Sequence, residues 1–176
     1  MSPKLKRFSA AFLLAAACSA PAFAADVFVM VAETGGAETG VKEGGEGAAF
    51  ESSALWEGCL LGAFFEAGHV VSNSPILALG ADFPGAEPPQ AGFPAGLEAA
   101  LADARSGGAD YAVVALLGYP AASDRTSRPE QVRLRVYALS PYRFVREISA
   151  AGGPRTENEA AHAERVIRGL IPYVED

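Results

Sequence analysis

The chain has 176 residues, of which 14 are basic and 21 acidic, and its formal net charge is −7. This acidic balance argues against nucleic acid as a partner, because nucleic-acid binding requires a concentration of positive charge. Half of the residues are hydrophobic, which is enough for one domain with its own core, but no stretch offers the roughly 20 uninterrupted apolar residues of a transmembrane helix.

Residues 1–24 have the composition of a secretory signal peptide. A basic segment, Lys4–Arg7, precedes a short apolar run, and Ala22-Phe23-Ala24 then supplies the small-x-small pattern of a cleavage site. This pattern predicts cleavage before Ala25 and export to the periplasm. Because the removed segment contains three basic residues and no acids, the remaining 152 residues have 11 basic and 21 acidic side chains and a net charge of −10.

A second processing route stays open. The sequence LAAAC, Leu14–Cys18, resembles a lipoprotein signal, in which the cysteine becomes acylated and anchors the chain peripherally to the outer membrane. Ala15 stands three residues before Cys18, where such signals usually have leucine. We expect the soluble form and keep the lipoprotein as the alternative. Once residues 1–24 are removed, Cys59 is the remaining cysteine, so no internal disulfide can form, and we expect a buried, inert thiol.

The first predicted elements are a strand, a loop and a helix. Asp26–Ala32 is a short apolar run typical of a strand buried on both faces. Residues 34–49, rich in glycine and glutamate, predict a flexible acidic loop. Ser53 as the N-cap and Gly68 as the C′ residue then bracket a helix of about four turns.

This helix has apolar residues on opposite faces. Trp56 and Leu60 share one face, whereas Leu61 and Phe65 lie nearly opposite to them at 100° per residue. In one hypothesis Leu61 and Phe65 bind a protein partner, which could contribute roughly 3–5 kcal/mol at 1.5–3 kcal/mol each. In the other, a proline-rich loop over residues 80–94 covers both side chains within the chain.

The rest of the chain predicts two further single strands, a hairpin of two strands and two helices. His69–Asn73 and Ala109–Tyr119 read as strands, and Pro94 opens a helix that Gly107–Gly108 ends. Val132–Leu139 alternates, with valines and leucine inward and Arg133, Arg135 and Tyr137 outward, and it forms a hairpin with the following strand. Thr156 and Glu159 form a capping box for the last helix.

The order of predicted elements is β-α-β-α-β-β-α. It predicts a single α/β domain, with an α+β variant possible, in which helices pack on a mixed sheet that closes with an antiparallel hairpin.

No motif predicts catalysis. Gly35–Lys42 has the spacing of a phosphate loop, but Val41 replaces the lysine and nearby glutamates would repel phosphate. The two histidines of the mature chain are isolated: we expect His69 to form structural hydrogen bonds and His162 to face solvent, so no metal site or cofactor is predicted. A hydrolase would require Asp110, His69 and a serine to cluster.

Three arginines on the hairpin are candidate ligand-binding residues. Arg133, Arg135 and Arg146 predict a basic strip on an acidic protein, which could bind an anionic envelope component. The ordinary alternative is cross-strand pairing with Glu147 and solvation of the remaining charge.

The pattern resembles a known family. A helix ending FFEAGHVVSN, a strand GADYAVVALLGY and the pair VRLRVYAL and FVREIS resemble the small α/β domain of bacterial envelope proteins. That domain is shared by curli-secretion channel subunits, lipoprotein activators of penicillin-binding proteins, the N-terminal domain of the Tol translocation protein and flagellar outer-membrane accessory proteins. The resemblance implies an envelope location and no catalytic residues. The loops over residues 34–49 and 80–94 depart from the pattern.

The sequence therefore favours a non-enzymatic exported accessory or scaffold protein that contacts an envelope protein assembly. The alternative is a periplasmic domain that binds an anionic or polymeric envelope ligand through the hairpin arginines and the open edge of the sheet.

Overall fold

The computed structural model describes residues 24–35, 51–79, 95–120, 127–153 and 156–174. The predicted signal peptide up to residue 23, including Cys18, most of the acidic loop and the proline-rich loop over residues 80–94 lie outside the described residues. The strands are β1 (Asp26–Gly35), β2 (Val70–Asn73), β3 (Leu77–Leu79), β4 (Tyr111–Tyr119), β5 (Gln131–Leu139) and β6 (Tyr142–Ala151). The helices are α1 (Glu51–Glu66), α2 (Ala95–Ser106) and α3 (Glu159–Arg168), and a 3₁₀ turn (Ile171–Tyr173) follows α3.

The six strands form one mixed sheet in the order β2-β1-β4-β5-β6, with β3 also paired to β1. β1 is parallel to β2, β3 and β4, whereas β4, β5 and β6 are antiparallel to one another. With three helices packed on this sheet, the predicted mixed α/β fold is confirmed. Strand β3 was not predicted, since three residues after Pro75 are too short to show a periodicity.

Helices cover both faces of the sheet. α1 and α3 pack on one face, and their fully buried apolar side chains are Trp56, Leu60, Phe64, Ala163 and Ile167. α2 packs on the other face, and its buried side chains are Leu97, Leu101 and Ala104. The apolar strands predicted in the sequence therefore bury both of their faces, as expected for the parallel part of such a sheet.

For β5, the prediction from the sequence is correct for the inward-facing residues and wrong for Arg135 and Tyr137, which it placed outward. Val132, Leu134 and Val136 face the core under α1 and α3, as expected. Tyr137 was expected to face solvent but is fully buried in the cluster under α2, and Arg135 is only 3% exposed. The pattern of one strand does not reveal that its polar face is also covered.

The structure corrects the starts of two helices. α1 begins at Glu51, so Ser53 lies within its first turn and is not the N-cap. α3 is capped by Asn158, whose side chain accepts a hydrogen bond from the backbone N–H of Ala160 at 3.0 Å. The predicted capping box fails because the side chain of Glu159 points inward to α1.

The predicted end of α1 is confirmed. Gly68 has a φ of +92°, and its N–H donates to Phe65 while the N–H of His69 donates to Phe64. These two bonds form a Schellman motif, which favours glycine because a side chain would be strained at this φ. The turn places His69 directly before β2.

Candidate functional site

The outer face of α1 carries the two residues that the sequence predicts to bind a partner, Leu61 and Phe65. Ala54, Gly58, Gly62 and Phe65 are exposed and Leu61 is half-buried; their spacing of three and four residues places them on one side of the helix. A Cβ atom added at Gly58 or Gly62 would meet nothing within 4 Å. The helix therefore presents a smooth surface with a phenyl ring at one end.

The structure separates the two predicted partner-binding residues. Phe65 is 70% exposed, whereas Leu61 packs partly against the core under α1. Sequence reasoning missed Val70, which is 60% exposed at the start of β2, because a valine at the start of a predicted strand gives no sign of being uncovered. The partner-binding role of Leu61 and Phe65 stays a prediction at this point.

A groove of about 480 Å³ runs between α1 and α3. Leu55, Cys59 and Ala63 lie in it, and Glu164 and Arg168 from α3 line its other side. Burial, with the nearby carboxylates of Glu164 and Glu159, raises the pKa of the Cys59 thiol. The groove therefore offers apolar surface with charged rims, and a thiol that is mostly protonated at neutral pH.

The three hairpin arginines do not form one strip. Arg135 is buried and its Nε lies 2.6 Å from Oε2 of Glu147, which is the cross-strand pairing that the sequence offered as the ordinary alternative. Arg146 lies on the other face of the sheet, with its guanidinium 5.1 Å from the ring centre of Tyr173. The ligand-binding role of these arginines stays a prediction.

Arg133 lies beside an open depression of about 650 Å³. Glu130 and Glu147 line the same depression, so an anion entering it would meet two carboxylates as well as one guanidinium. This mixed charge is a poor match for an anionic ligand.

A buried polar cluster joins α1 to α3, and nothing in the sequence pointed to it. Oε1 of Glu159 accepts hydrogen bonds from the Ser52 hydroxyl and, at 3.1 Å, from Nε1 of Trp56. Its Oε2 lies 3.1 Å from Nε of Arg128. Ser52 and Trp56 lie 107 and 103 positions before Glu159 in the chain, and Arg128 belongs to a third segment, so no local sequence pattern reports that these groups meet.

Tyr119 extends this cluster at the end of β4. Its hydroxyl lies 2.8 Å from that of Ser53, and burial raises the pKa of Tyr119 to about 12. The tyrosine stays protonated at neutral pH, so it does not act as a base towards Ser53, and the bond between the two hydroxyls holds β4 to α1.

His162 is buried, and the prediction that it faces solvent is wrong. Its Nε2 lies 2.9 Å from the carbonyl oxygen of Ala151, and its Nδ1 lies 2.8 Å from a guanidinium nitrogen of Arg165. The ring also contacts Trp56 edge-on, with 6.0 Å between the ring centres. Tertiary contacts with α1 and β6 therefore fix this histidine on the inner side of α3.

His69 and Asp110 lie on either side of the start of β1. Nδ1 of His69 accepts a hydrogen bond from the N–H of Ala25 at 3.3 Å, and Oδ2 of Asp110 accepts one from the N–H of Asp26 at 3.0 Å. The structural hydrogen bond expected of His69 is confirmed. In the described part of the chain no serine hydroxyl bonds to His69, so the cluster that a hydrolase would need does not form there.

The described ranges contain neither a metal-binding cluster nor a membrane-spanning helix. No group of three or more histidine, cysteine, aspartate or glutamate side chains converges there as metal ligands do. None of the helices described combines the length and apolarity that crossing a bilayer requires.

No protein-family model matches the chain, and no curated protein matches it. Among solved structures it is similar to the PelC dodecamer from Paraburkholderia phytofirmans, at 16% identity and a TM-score of 0.45 over 88% of this chain and 91% of that one. A point variant of that dodecamer gives 14% identity and 0.42 over 87% and 90%. A DUF330 protein from Xanthomonas campestris gives 14% and 0.33 over 88% and 84%. Similarities this low carry no argument about the present chain, and they do not confirm the families that its sequence resembles.

Proposed function

We propose that this chain is an exported, non-enzymatic accessory domain of the cell envelope that docks onto a protein partner through the outer face of α1. The observation that carries the proposal is Phe65, which leaves 70% of its surface in solvent at the end of a face whose other members are the half-buried Leu61 and small residues. Burying such a ring against a partner contributes about 1.5–3 kcal/mol.

The shape of this face supports a protein partner. The open space above Gly58 and Gly62 lets another backbone approach α1 closely. The adjoining groove adds the half-buried side chains of Leu55 and Cys59, and its rims carry charges of both signs from Glu164 and Arg168. An apolar centre with a polar rim is the usual anatomy of a protein interface.

The buried polar groups near α1 connect elements of the fold. Ser52 and Trp56 are bonded to Glu159, and Ser53 is bonded to Tyr119. These bonds join α1 to α3 and to β4, which supports a structural role for them. Export is supported by the basic start, apolar run and small residues of the first 24 positions.

The test is capture of partners from an envelope extract by the purified exported protein, with quantitative mass spectrometry. Phe65→Asp replaces the largest apolar group of the proposed contact by a charge, so the affinity for the main partner should fall by at least about tenfold, equivalent to 1.4 kcal/mol. The matched control is Tyr142→Asp, which changes another exposed aromatic residue, 48% exposed, at the start of β6.

The proposal fails if Phe65→Asp retains the partner as well as the unaltered protein does. It also fails if both aspartate variants lose it equally, because the effect would then not depend on α1. Gel filtration of the purified protein shows whether the partner is a second copy of the chain: in that case Phe65→Asp alone should convert dimers into monomers.

A further inference from the structure

The start of β1 lies between two turns of the same kind. The turn after α1 contains Gly68 and the turn after α2 contains Gly108, both with a positive φ. Directly after these turns the N–H of Val70 donates to Ala25 at 3.1 Å, and the N–H of Asp110 donates to Asp26 at 2.8 Å. The backbone of residues 25 and 26 is therefore held from both sides by the residues that follow the two helices.

Two side chains complete this cradle, which consists of His69, Asp110 and the backbone around them. Nδ1 of His69 accepts from the nitrogen of Ala25, and Oδ2 of Asp110 accepts from the nitrogen of Asp26. Ala25 is 8% exposed and His69 5%, whereas Ala24 is exposed. The chain therefore passes from solvent into a polar cradle at the Ala24–Ala25 bond, where the sequence predicts cleavage.

The hydrogen bonds of His69 show which ring nitrogen is the acceptor and which carries the proton. Nε2 is buried and has no hydrogen-bond partner among the residues that the structure describes. Because Nδ1 accepts the bond from Ala25, the ring proton of the neutral form lies on Nε2. Within the described residues this buried N–H is unpaired, which costs about 1–3 kcal/mol, while Nδ1 is directed to the nitrogen of Ala25.

We propose that this cradle is a binding site for the free α-ammonium group that processing leaves on Ala25. Hydrolysis of the Ala24–Ala25 peptide bond by a peptidase, with water as co-reactant, leaves a carboxylate on Ala24 and an ammonium on Ala25. The ammonium has three N–H donors where the amide had one. Nδ1 of His69 accepts a hydrogen bond from one of them. The other two N–H groups reach water, because Ala24 lies in solvent and leaves after cleavage. The adjacent carboxylate of Asp110 favours the positive charge of the ammonium group.

This inference rests on the export part of the proposed function and is independent of the docking surface. Cleavage would then leave the new N-terminus bound at the foot of the central strand. A bound N-terminus resists fraying and exopeptidases, since a terminus that is tied into a sheet is ordered.

The experiment uses the full chain, exported from a bacterial host and purified, and first reads its N-terminus by mass spectrometry. The α-amine is then acetylated with a limiting amine-reactive ester at neutral pH. Lys42 is the only lysine outside the predicted signal peptide, so its labelling is the internal reference. Only the neutral amine reacts with the ester. If the cradle raises the pKa of the α-amine by one unit above the usual 7.7–8.0, the neutral fraction at neutral pH falls about tenfold, and the labelling rate falls with it.

We expect the α-amine of Ala25 to be labelled at least about fivefold more slowly, relative to Lys42, in the folded protein than in urea. His69→Phe should abolish most of this protection, and Asp110→Asn should reduce it about twofold by removing the charge while keeping an acceptor oxygen. His162→Phe, which alters the other histidine, should leave it unchanged. If the His69→Phe variant does not fold, the labelling rate of the Asp110→Asn variant tests the proposal in its place.

An N-terminus at any position other than Ala25, including an acylated Cys18, overturns the proposal without touching the docking surface. An N-terminus at Ala25 whose amine labels as fast in the folded protein as in urea also overturns it. So does unchanged protection in a folded His69→Phe variant or, where that variant does not fold, in Asp110→Asn.

Discussion

The indole Nε1 of Trp56 donates a hydrogen bond of 3.1 Å to Glu159, a residue 103 positions further along the chain. The same carboxylate accepts from Ser52 and pairs with Arg128. Because Glu159 is buried, its charge is tolerated there only while these donors surround it. One side chain thus joins the first turn of α1, the first turn of α3 and the segment before β5.

Removing this carboxylate should therefore destabilise the whole domain. In Glu159→Ala the indole N–H and the Ser52 hydroxyl lose their acceptor and Arg128 loses its counter-charge. We expect a loss of about 3 kcal/mol, at the lower end for a broken buried pair because Arg128 is partly exposed. Urea unfolding followed by tryptophan fluorescence measures it.

Glu164→Ala is the matched control for Glu159→Ala. Glu164 is an exposed glutamate on the same helix, 3.9 Å from Arg168, and its removal should cost less than about 0.5 kcal/mol. If the two variants lose the same free energy of unfolding, the buried cluster around Glu159 stabilises the domain no more than a surface ion pair does.

The adjacent residues Phe64 and Phe65 should differ strongly in their contribution to stability. Phe64 is fully buried and Phe65 is 70% exposed. Phe64→Ala should therefore reduce the free energy of unfolding by about 3–5 kcal/mol through the cavity that it leaves. Phe65→Ala should change it by less than about 0.5 kcal/mol.

Urea titrations of both alanine variants provide the check. A loss above about 2 kcal/mol in Phe65→Ala would mean that this ring is covered within the chain. That result would restore the alternative in which the proline-rich loop shelters the outer face of α1.

The element order was predictable because it depends on local patterns. Asp26–Gly35 and Tyr111–Tyr119 are apolar runs bounded by polar or glycine-rich segments, and α1 has a helical stop signal at Gly68. Such signals lie within a few residues of the element that they define. The core side of α1 followed in the same way, since Trp56 and Leu60 recur at a helical spacing.

The details of the polar residues were not predictable, because they depend on which segments meet in space. His162 was placed in solvent since its own helix gave no reason to bury it, yet Trp56 and Ala151 lie against it. Arg135 was expected outside because the second cover over β5 cannot be seen in the strand itself. For the same reason, the sequence named Leu61 and Phe65 together, whereas tertiary packing half-buries the first and leaves the second in solvent.

The stability of the protein should fall at alkaline pH through Tyr119. Burial raises the pKa of Tyr119 to about 12 in the folded state, compared with about 10 in an unfolded chain. Between about pH 10 and about pH 12 the unfolded chain loses this proton and the folded protein keeps it. The stabilisation that comes from the Tyr119 proton is complete below about pH 10 and is lost as the pH rises towards about 12.

Urea midpoints across this pH range should therefore fall less steeply in Tyr119→Phe than in the unaltered protein. Some decline should persist in the variant, because burial also raises the pKa of Tyr137. Identical slopes would show that Tyr119 ionises in the folded protein as it does in water.

Gly58 and Gly68 should respond in opposite ways to the same substitution. Gly58 lies in the interior of α1, where a methyl group meets nothing within 4 Å, so Gly58→Ala should stabilise the domain by about 0.8–1.0 kcal/mol through helix propensity. A methyl group at Gly68 also meets nothing, but the φ of +92° there is strained for alanine, so Gly68→Ala should destabilise it by about 1–2 kcal/mol. Thermal melts of the two variants measure both effects.

The gain at Gly58 also tests the docking face, because its methyl group would stand in the space that a closely approaching partner needs. Gly58→Ala should therefore raise the melting temperature while weakening capture of the partner. Unfolding cannot explain weaker binding by a variant that is more stable. If binding increases along with stability, the partner does not approach α1 at this position, and the contact would have to be centred on Phe65 and Val70 at the other end of the helix.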